Sequence, residues 1–468
     1  MMMFLNNMKV PNFSKVSWRR FSGATEENFK VKNVKTSSSY RRTMKQLNNM
    51  FSCQLVTVDN QHDMVKKAVS ILHEHPYDQQ LSLKEEKHQE VLQRLHRNKS
   101  LKGQMYKTHK IIGSPEQEQY RNKSSFSVGH DIQGRITVGY HVGGSREGWV
   151  TVSPEHVTII RDDHKMVAGV YQQFLLSLPV TRLALFRDGD WSGGHWGALM
   201  VRSNNRDELM VRIEYYTNNE ERYSESEVET CLQKLLSSHL NVKSVYITLN
   251  NADGSRHHQL LYGDDVLIEQ IGDLSLCLGP DTFCQVNPAV AVHLLDFVSK
   301  TIRSGERRTL LDLCCGAGMF SLKLSSQFRG TIGIDWENTE YAARNMEINN
   351  VGNCRFETRR VENVLPTVAH RLTESGAAAS GVLNPGRTGV HQNVITAIRR
   401  TPVLDNLIYI SCKPEDDRVL KNLTYLMKSD SKKCPSSLRT VPFKLTESVA
   451  LDMFPQTHHC EHVFVFKR

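Results

Sequence analysis

The chain contains no apolar run approaching the ~18 residues of a membrane span, which argues against an integral helical membrane protein. It has ten cysteines in 468 residues but no C-x2-C pair and no zinc-type spacing. A metal site and a cysteine cluster for an iron–sulfur centre are therefore not indicated. A disulfide scaffold is not expected in a chain of this length without a secretory leader. After the glycine turn Gly316-Ala317-Gly318, Phe320 and Ser321 stand where a third glycine would complete a dinucleotide fingerprint. Nor does a Lys-Ser/Thr pair follow for a triphosphate. No internal repeat is present.

Acidic residues are missing before Glu26, while residues 1–50 hold ten Lys/Arg and two Glu. That segment accounts for +8 of the net charge of +9, so the remainder is nearly neutral. Any nucleic-acid surface must then be a local patch. Lys9, Lys15, Arg19 and Arg20 alternate with Phe4, Leu5, Phe13, Val16 and Trp18, and Arg19-Arg20-Phe21-Ser22 looks like a matrix-protease site. This pattern is that of a mitochondrial transit peptide, with a disordered basic tail as the alternative. The expected location is the mitochondrial matrix.

With 39% apolar and 23% charged residues, the composition is globular and the length allows two or three domains. Residues 1–50 read as transit peptide and linker. Residues 51–115 read as a helical segment, broken at His75-Pro76-Tyr77-Asp78. Between Glu90 and Glu116 no acid interrupts Arg94, Arg97, Lys99, Lys102, Lys107 and Lys110, with Tyr106 among them. This is either a phosphate-tracking surface or a solvated helix end. Residues 116–275 show strand-like alternation, as in Ile136-Thr137-Val138-Gly139-Tyr140, and predict an α+β domain.

From 276 to 468 helix and strand alternate, predicting an α/β, doubly wound, Rossmann-like domain. The strands expected are Thr309–Leu313, Thr331–Ile334, Gly381–Leu383, Leu407–Ser411 and His462–Phe466, with a helix over 289–299. Gly316 and Gly318 follow the first strand, and Asp335 ends the second, where an acid can accept hydrogen bonds from a ribose diol. This combination resembles the S-adenosylmethionine-dependent methyltransferase fold. Cys412 lies where the apolar run 407–410 stops, before Pro414, at a strand end facing the ligand crevice of an open α/β sheet. A reactive thiol needs nearby positive charge, for which Lys413, Arg387, His458 and His459 are candidates. The alternative is a buried core cysteine.

Three further motifs are more specific. Asn384-Pro385-Gly386-Arg387-Thr388-Gly389, Ile408-Tyr409-Ile410-Ser411-Cys412-Lys413-Pro414 and Asp452-Met453-Phe454-Pro455-Gln456-Thr457-His458-His459-Cys460-Glu461 resemble successive motifs of the RNA (uracil-5-)-methyltransferase family. Phe283-Cys284-Gln285-Val286-Asn287 is similar to that family's F-x-Q-x-N segment at the mouth of the cofactor site. Tyr120–Ser127 and Gly148–His156 resemble the RNA-binding domain of its animal branch.

The resemblance implies Cys412 as nucleophile and Glu461 as base. It also implies Gln285, Asp335 and Asn384 as S-adenosylmethionine contacts, with Gly316 and Gly318 lining the site. RNA is the implied partner, either tRNA or mitochondrial rRNA, with Arg121, Lys123 and Arg387 as candidate contacts and a monomer the expected assembly. Family members usually have aspartate at the position of Asn384, and a polar residue at that of Met319. A cytosine-C5 methyltransferase would carry a cysteine in the segment 384–387, where this chain has none. A non-catalytic RNA-binding protein on the same fold is the alternative from another class.

Overall fold

A computed structural model describes residues 55–97, 106–144, 148–187, 190–191, 194–217, 223–337, 339–429 and 440–468. The leader over 1–50, and Lys99 and Lys102 of the acid-free stretch, lie outside these residues. The chain forms two compact units, one from residues up to 73 with 121–267, the other from 74–120 with 268–468. In sequence, the central domain is thus an insertion into the second unit. The segment expected as one helical block over 51–115 is divided. Helix α1 (Gln61–Val69) belongs to the first unit, while α2 (Tyr77–His96) and the short strand β1 (Lys107–Thr108) belong to the second. The break falls at Pro76, whose extended backbone caps α2 and whose ring cannot sit inside a helix. The border expected at 275/276 lies at 267/268.

The first unit contains β2 (Lys123–His130), β3 (Ile136–Gly144), β4 (Gly148–Val152), α3 (Asp162–Leu175) and the ribbon β5 (Phe186–Arg187) and β6 (Asp190–Trp191). Next come β7 (Trp196–Ser203), β8 (Leu209–Tyr216), α4 (Glu225–Leu236), β9 (Val242–Asn250) and β10 (Arg256–Gly263). Its seven-stranded sheet runs β10-β9-β8-β7-β2-β3-β4. All neighbours in it are antiparallel except β8 and β9. Ser124, Phe126 and Val128 point inward from β2, the period-2 burial of a half-covered strand.

The second unit adds β11 (Leu267–Ile271), β12 (Leu274–Leu278), α5 (Pro288–Thr301), β13 (Gly305–Leu313), α6 (Met319–Leu324), β14 (Phe328–Asp335), α7 (Thr339–Ile348) and β15 (Cys354–Thr358). Then follow α8 (Val361–Glu374), β16 (Ala378–Leu383), α9 (Gln392–Arg399), β17 (Leu404–Ser411), α10 (Asp417–Met427), β18 (Lys444–Leu451) and β19 (Glu461–Lys467). The eight-stranded sheet is ordered β1-β18-β19-β17-β16-β13-β14-β15. Strands β17, β16, β13, β14 and β15 are mutually parallel, and β19 runs antiparallel to both its neighbours.

Successive residues of one strand enter opposite cores: Leu310, Ile408 and Ile410 pack with α5, and Leu311, Leu313, Leu407 and Tyr409 with α8 and α9. Burial on both faces is why these strands read as continuous apolar runs. Strands β15 and β18 escaped the sequence reading because their chains, Cys354-Arg355-Phe356-Glu357-Thr358 and Lys444–Leu451, mix polar residues into short spans. The strand order reverses between β13 and β16, which places a ligand crevice at their carboxyl ends.

Candidate active site

Parallel strands β13, β14, β16 and β17 all end at this crevice, and antiparallel β19 begins there. The ladder pairs Ser411 of β17 with His462 of β19. Cys412 and Glu461 are the residues next to that pair, so both lie where the end of β17 meets the start of β19. Cys412 is half-buried, whereas Glu461 is only 4% exposed. Burial, and then the Glu461 carboxylate, push the Cys412 thiol up to about 12, with Arg387 acting in the opposite direction. Burial raises Glu461 to about 8, again opposed by Arg387. Exposed Arg387, on the turn after β16, is therefore the cation that serves both groups.

The other cations expected around the thiol behave differently. His458 and His459 are held neutral, because burial and nearby lysines keep both well below the usual imidazole range. Lys413 directs its ammonium to Asp416 at 3.8 Å. The loop carrying Asn384 and Arg387 is fixed by Asn422 of α10, whose Oδ1 accepts from Val390 N at 3.0 Å and whose Nδ2 donates to Val390 O at 3.1 Å. The Tyr409 hydroxyl also donates to Asn422 Oδ1, at 3.2 Å. Asn384 N donates to Leu313 O at 3.4 Å, which joins the ends of β16 and β13.

The glycine turn is shaped by backbone groups. Cys314 (φ 66°), Gly316 (φ 51°) and Gly318 (φ 83°) all adopt left-handed backbone, and Cys314 N and Cys315 N both donate to Ile334 O. Gly316 N donates to Asp335 Oδ2 at 3.0 Å, and Glu337 N to Asp335 Oδ1 at 3.1 Å. A Cβ on Gly318 would lie 3.1 Å from Phe356 and 3.2 Å from Ala342, but one on Gly316 would meet nothing within 4 Å. Space above Gly316 is thus open to a ligand, with the Asp335 carboxylate beside it.

Asp312, one turn below, is fully buried. Its Oδ2 accepts from Ser321 N (2.9 Å) and Oγ (2.7 Å), while its Oδ1 has no partner. Burial lifts its carboxyl to about 6. This residue was not singled out from the sequence, although a charge inside Leu310-Leu311-Asp312-Leu313 was a visible signal. Gln285 is buried ahead of α5. Asn287 caps that helix by accepting from Val290 N at 3.2 Å, and it donates to Ser114 Oγ at 3.0 Å. The crevice therefore gathers Cys412, Glu461, Arg387, Asn384, Gly316, Gly318 and Asp335 from strand ends of one sheet. Arg121 and Lys123 are in the other unit, half-buried at the start of β2.

A model of the tRNA (Uracil-5-)-methyltransferase family matches residues 202–468, more than half of the chain. The chain belongs to the tRNA (uracil-5-)-methyltransferase family. Among its relatives, the tRNA (uracil-5-)-methyltransferase homolog B of Danio rerio is 33% identical over 370 residues, 76% of this chain and 75% of the relative. The human homolog B is 32% identical over 372 residues, covering 77% and 72%. In three dimensions the chain resembles the Pyrococcus abyssi tRNA (uracil-54, C5)-methyltransferase, crystallised with S-adenosyl-L-homocysteine. That likeness has a TM-score of 0.57 at 20% identity, covers 84% of each chain, and establishes a shared fold.

Proposed function

We propose that this chain methylates C5 of uridine in RNA, in the T-loop of tRNA, in mitochondrial rRNA, or in both, with S-adenosylmethionine as donor. The observation that carries this reading is the pairing of Ser411 with His462, which brings the adjoining Cys412 and Glu461 to one place, where the Glu461 carboxylate acts on the Cys412 thiol. Gln285, Asp335 and Asn384 would hold the cofactor, and the open space at Gly316 suits its close approach. When bound, the cofactor supplies an electrophilic methyl group on a sulfonium. It carries no phosphate, in keeping with a glycine turn that lacks the third glycine and the Lys-Ser/Thr pair.

The chain's own residues supply the remaining chemistry. The Cys412 thiol gives up its proton to water, its sulfur bonds to C6 of the uracil, and the displaced π electrons make C5 nucleophilic as part of an enolate. C5 would use that electron pair to take the methyl group, the electrons of the broken sulfur–methyl bond staying on sulfur as a neutral thioether. The Glu461 carboxylate then accepts the C5 proton, the freed pair re-forms the C5–C6 double bond, and the S–C6 electrons return to Cys412. Arg387 favours the anionic forms of both groups. The target base must leave its stack to reach the crevice, at a cost of a few kcal/mol.

Transfer from labelled S-adenosylmethionine to tRNA and rRNA transcripts, followed by nucleoside analysis, tests the proposal. Label is expected in 5-methyluridine, falling at least ~10³-fold in Cys412→Ala. Label only in 5-methylcytidine, or an active Cys412→Ala, overturns it. Absence of label on every transcript, with RNA binding intact, favours a non-catalytic RNA-binding role. We also infer a matrix location from the acid-free leader; a reporter fused to residues 1–50 should be imported by isolated mitochondria, and its exclusion counts against this.

A further inference from the structure

Helix α2 presents a polar face that is buried: Gln80, Lys84, Lys87 and His88 are all under 5% exposed. Their spacing of three to four residues places them on one stripe of the helix. Buried lysines are rare unless paired, and each of these is paired with a segment of the crevice. Lys84 forms an ion pair with the fully buried Asp452 and donates to Phe454 O at 3.0 Å. Gln80 Oε1 accepts from Gln456 N at 2.7 Å, at a residue held in left-handed backbone (φ 62°). Lys87 donates to His458 O at 3.3 Å and pairs with Glu415 at 2.9 Å.

The pattern is regular. Residues 452, 454, 456 and 458, alternate positions of the connection from β18 to β19, are each tied to α2, and that connection delivers Glu461. Glu415 lies three residues beyond Cys412. One ammonium, that of Lys87, therefore bonds to the segment bearing the thiol and to the segment bearing the carboxyl. Replacing a buried ion pair by apolar residues is often neutral or stabilising, so fold stability alone does not account for the buried Lys84–Asp452 pair with buried Lys87 and half-buried Glu415 beside it.

We propose that Lys87, supported by Lys84, is a positioning residue that fixes the placement of Glu461 relative to Cys412, an inference that rests on the reaction proposed above. Proton removal from C5 is the step most sensitive to that placement, since a displacement of about 1 Å can cost ~10²-fold in rate. Lys87 acts on the pair through Glu415 and the His458 carbonyl.

The test compares Lys87→Met and Glu415→Gln with the unaltered full chain on uridine-containing RNA, reading kcat, KM for RNA and covalent protein–RNA adduct on denaturing gels. Lys87→Met is expected to lower kcat ~10- to 100-fold with KM changed less than about threefold. Adduct should accumulate, because the S–C6 bond forms before the proton is removed and breaks after it. A role in folding alone would lower the active fraction without raising the adduct per folded molecule. Folded Lys87→Met with the parent's kcat and no extra adduct overturns the inference. If that variant does not fold, Glu415→Gln decides, since it leaves the bond to His458 O in place: accumulated adduct supports the inference, and parental kinetics overturn it. If the unaltered chain methylates no RNA, the proposed reaction itself has failed and this inference falls with it.

Discussion

At one edge of the same sheet, the glycine turn after β13 and the thiol–carboxyl pair of β17 and β19 are built in different ways. The turn is a backbone device. Left-handed residues at 314, 316 and 318 shape it, with N–H groups of 314 and 315 aimed at Ile334 O, that of 316 at Asp335 and that of 318 at Cys315 O, and side chains mainly have to stay out of the way. The pair is a side-chain device, with two ionisable groups whose properties are set by burial, by Arg387, and by segments held on the lysines of α2. A backbone device tolerates varied side chains but not an added Cβ at the wrong position. A side-chain device tolerates backbone variation but not the loss of a charge.

Glu461→Gln should have the largest effect in this comparison. It keeps the shape and removes the base, so turnover is expected to fall ~10²–10⁴-fold while covalent adduct with RNA persists on denaturing gels. Rapid release of product at the parental rate would mean that another group takes the proton. The same variant separates the pair from the turn through pH. Glu461 is raised from 4.5 to about 8 in the folded chain, so between those values the folded state holds a proton that the unfolded state has lost. Stability from this group is fully present below 4.5, declines as pH rises through 8, and is constant above.

Glu461→Gln should therefore be more stable than the parent at pH 9, by on the order of a few kcal/mol, and match it near pH 4.5 in denaturant titrations. Parallel stability curves for the two chains would show that the carboxyl is not raised. The smallest effect is expected at the turn. Gly318→Ala forces a Cβ into left-handed backbone and against Phe356 and Ala342, costing ~1–2 kcal/mol. Thermal melts should register that loss while the adduct still forms at Cys412. Unchanged stability would show that the turn relaxes freely.

The parallel strands, the glycine turn and the three C-terminal motifs were legible because each is local. Strands covered on both faces give apolar runs, and tight turns need glycine. Strand-end residues such as Cys412, Asp335 and Glu461 sit at the limits of those runs. The edge strand β15 and the partner strand β18 were not legible, since neither carries a continuous apolar run. Cations near the thiol were read as a pool of four, but burial neutralises His458 and His459, and burial depends on what packs above them. Asp312 carries a signal in its sequence context that the reading passed over, a charge inside an apolar run, whereas Asn422 has the sequence context of an ordinary helix residue until the fold places it against Val390 and Tyr409.

Sequence alone determined the fold class of residues 276–468 and the family resemblance, and it singled out the thiol and carboxyl now proposed to act together, because these depend on residue type and short-range spacing. Only the tertiary structure decided that α2 belongs with the second unit across an inserted domain, and that Lys84 and Lys87 are buried partners of Asp452 and Glu415. Contacts between residues more than three hundred positions apart leave no periodic trace in a single chain. The antiparallel register of β17 and β19 likewise decided that the strand ends bearing Cys412 and Glu461 meet, since pairing between strands is set by long-range packing.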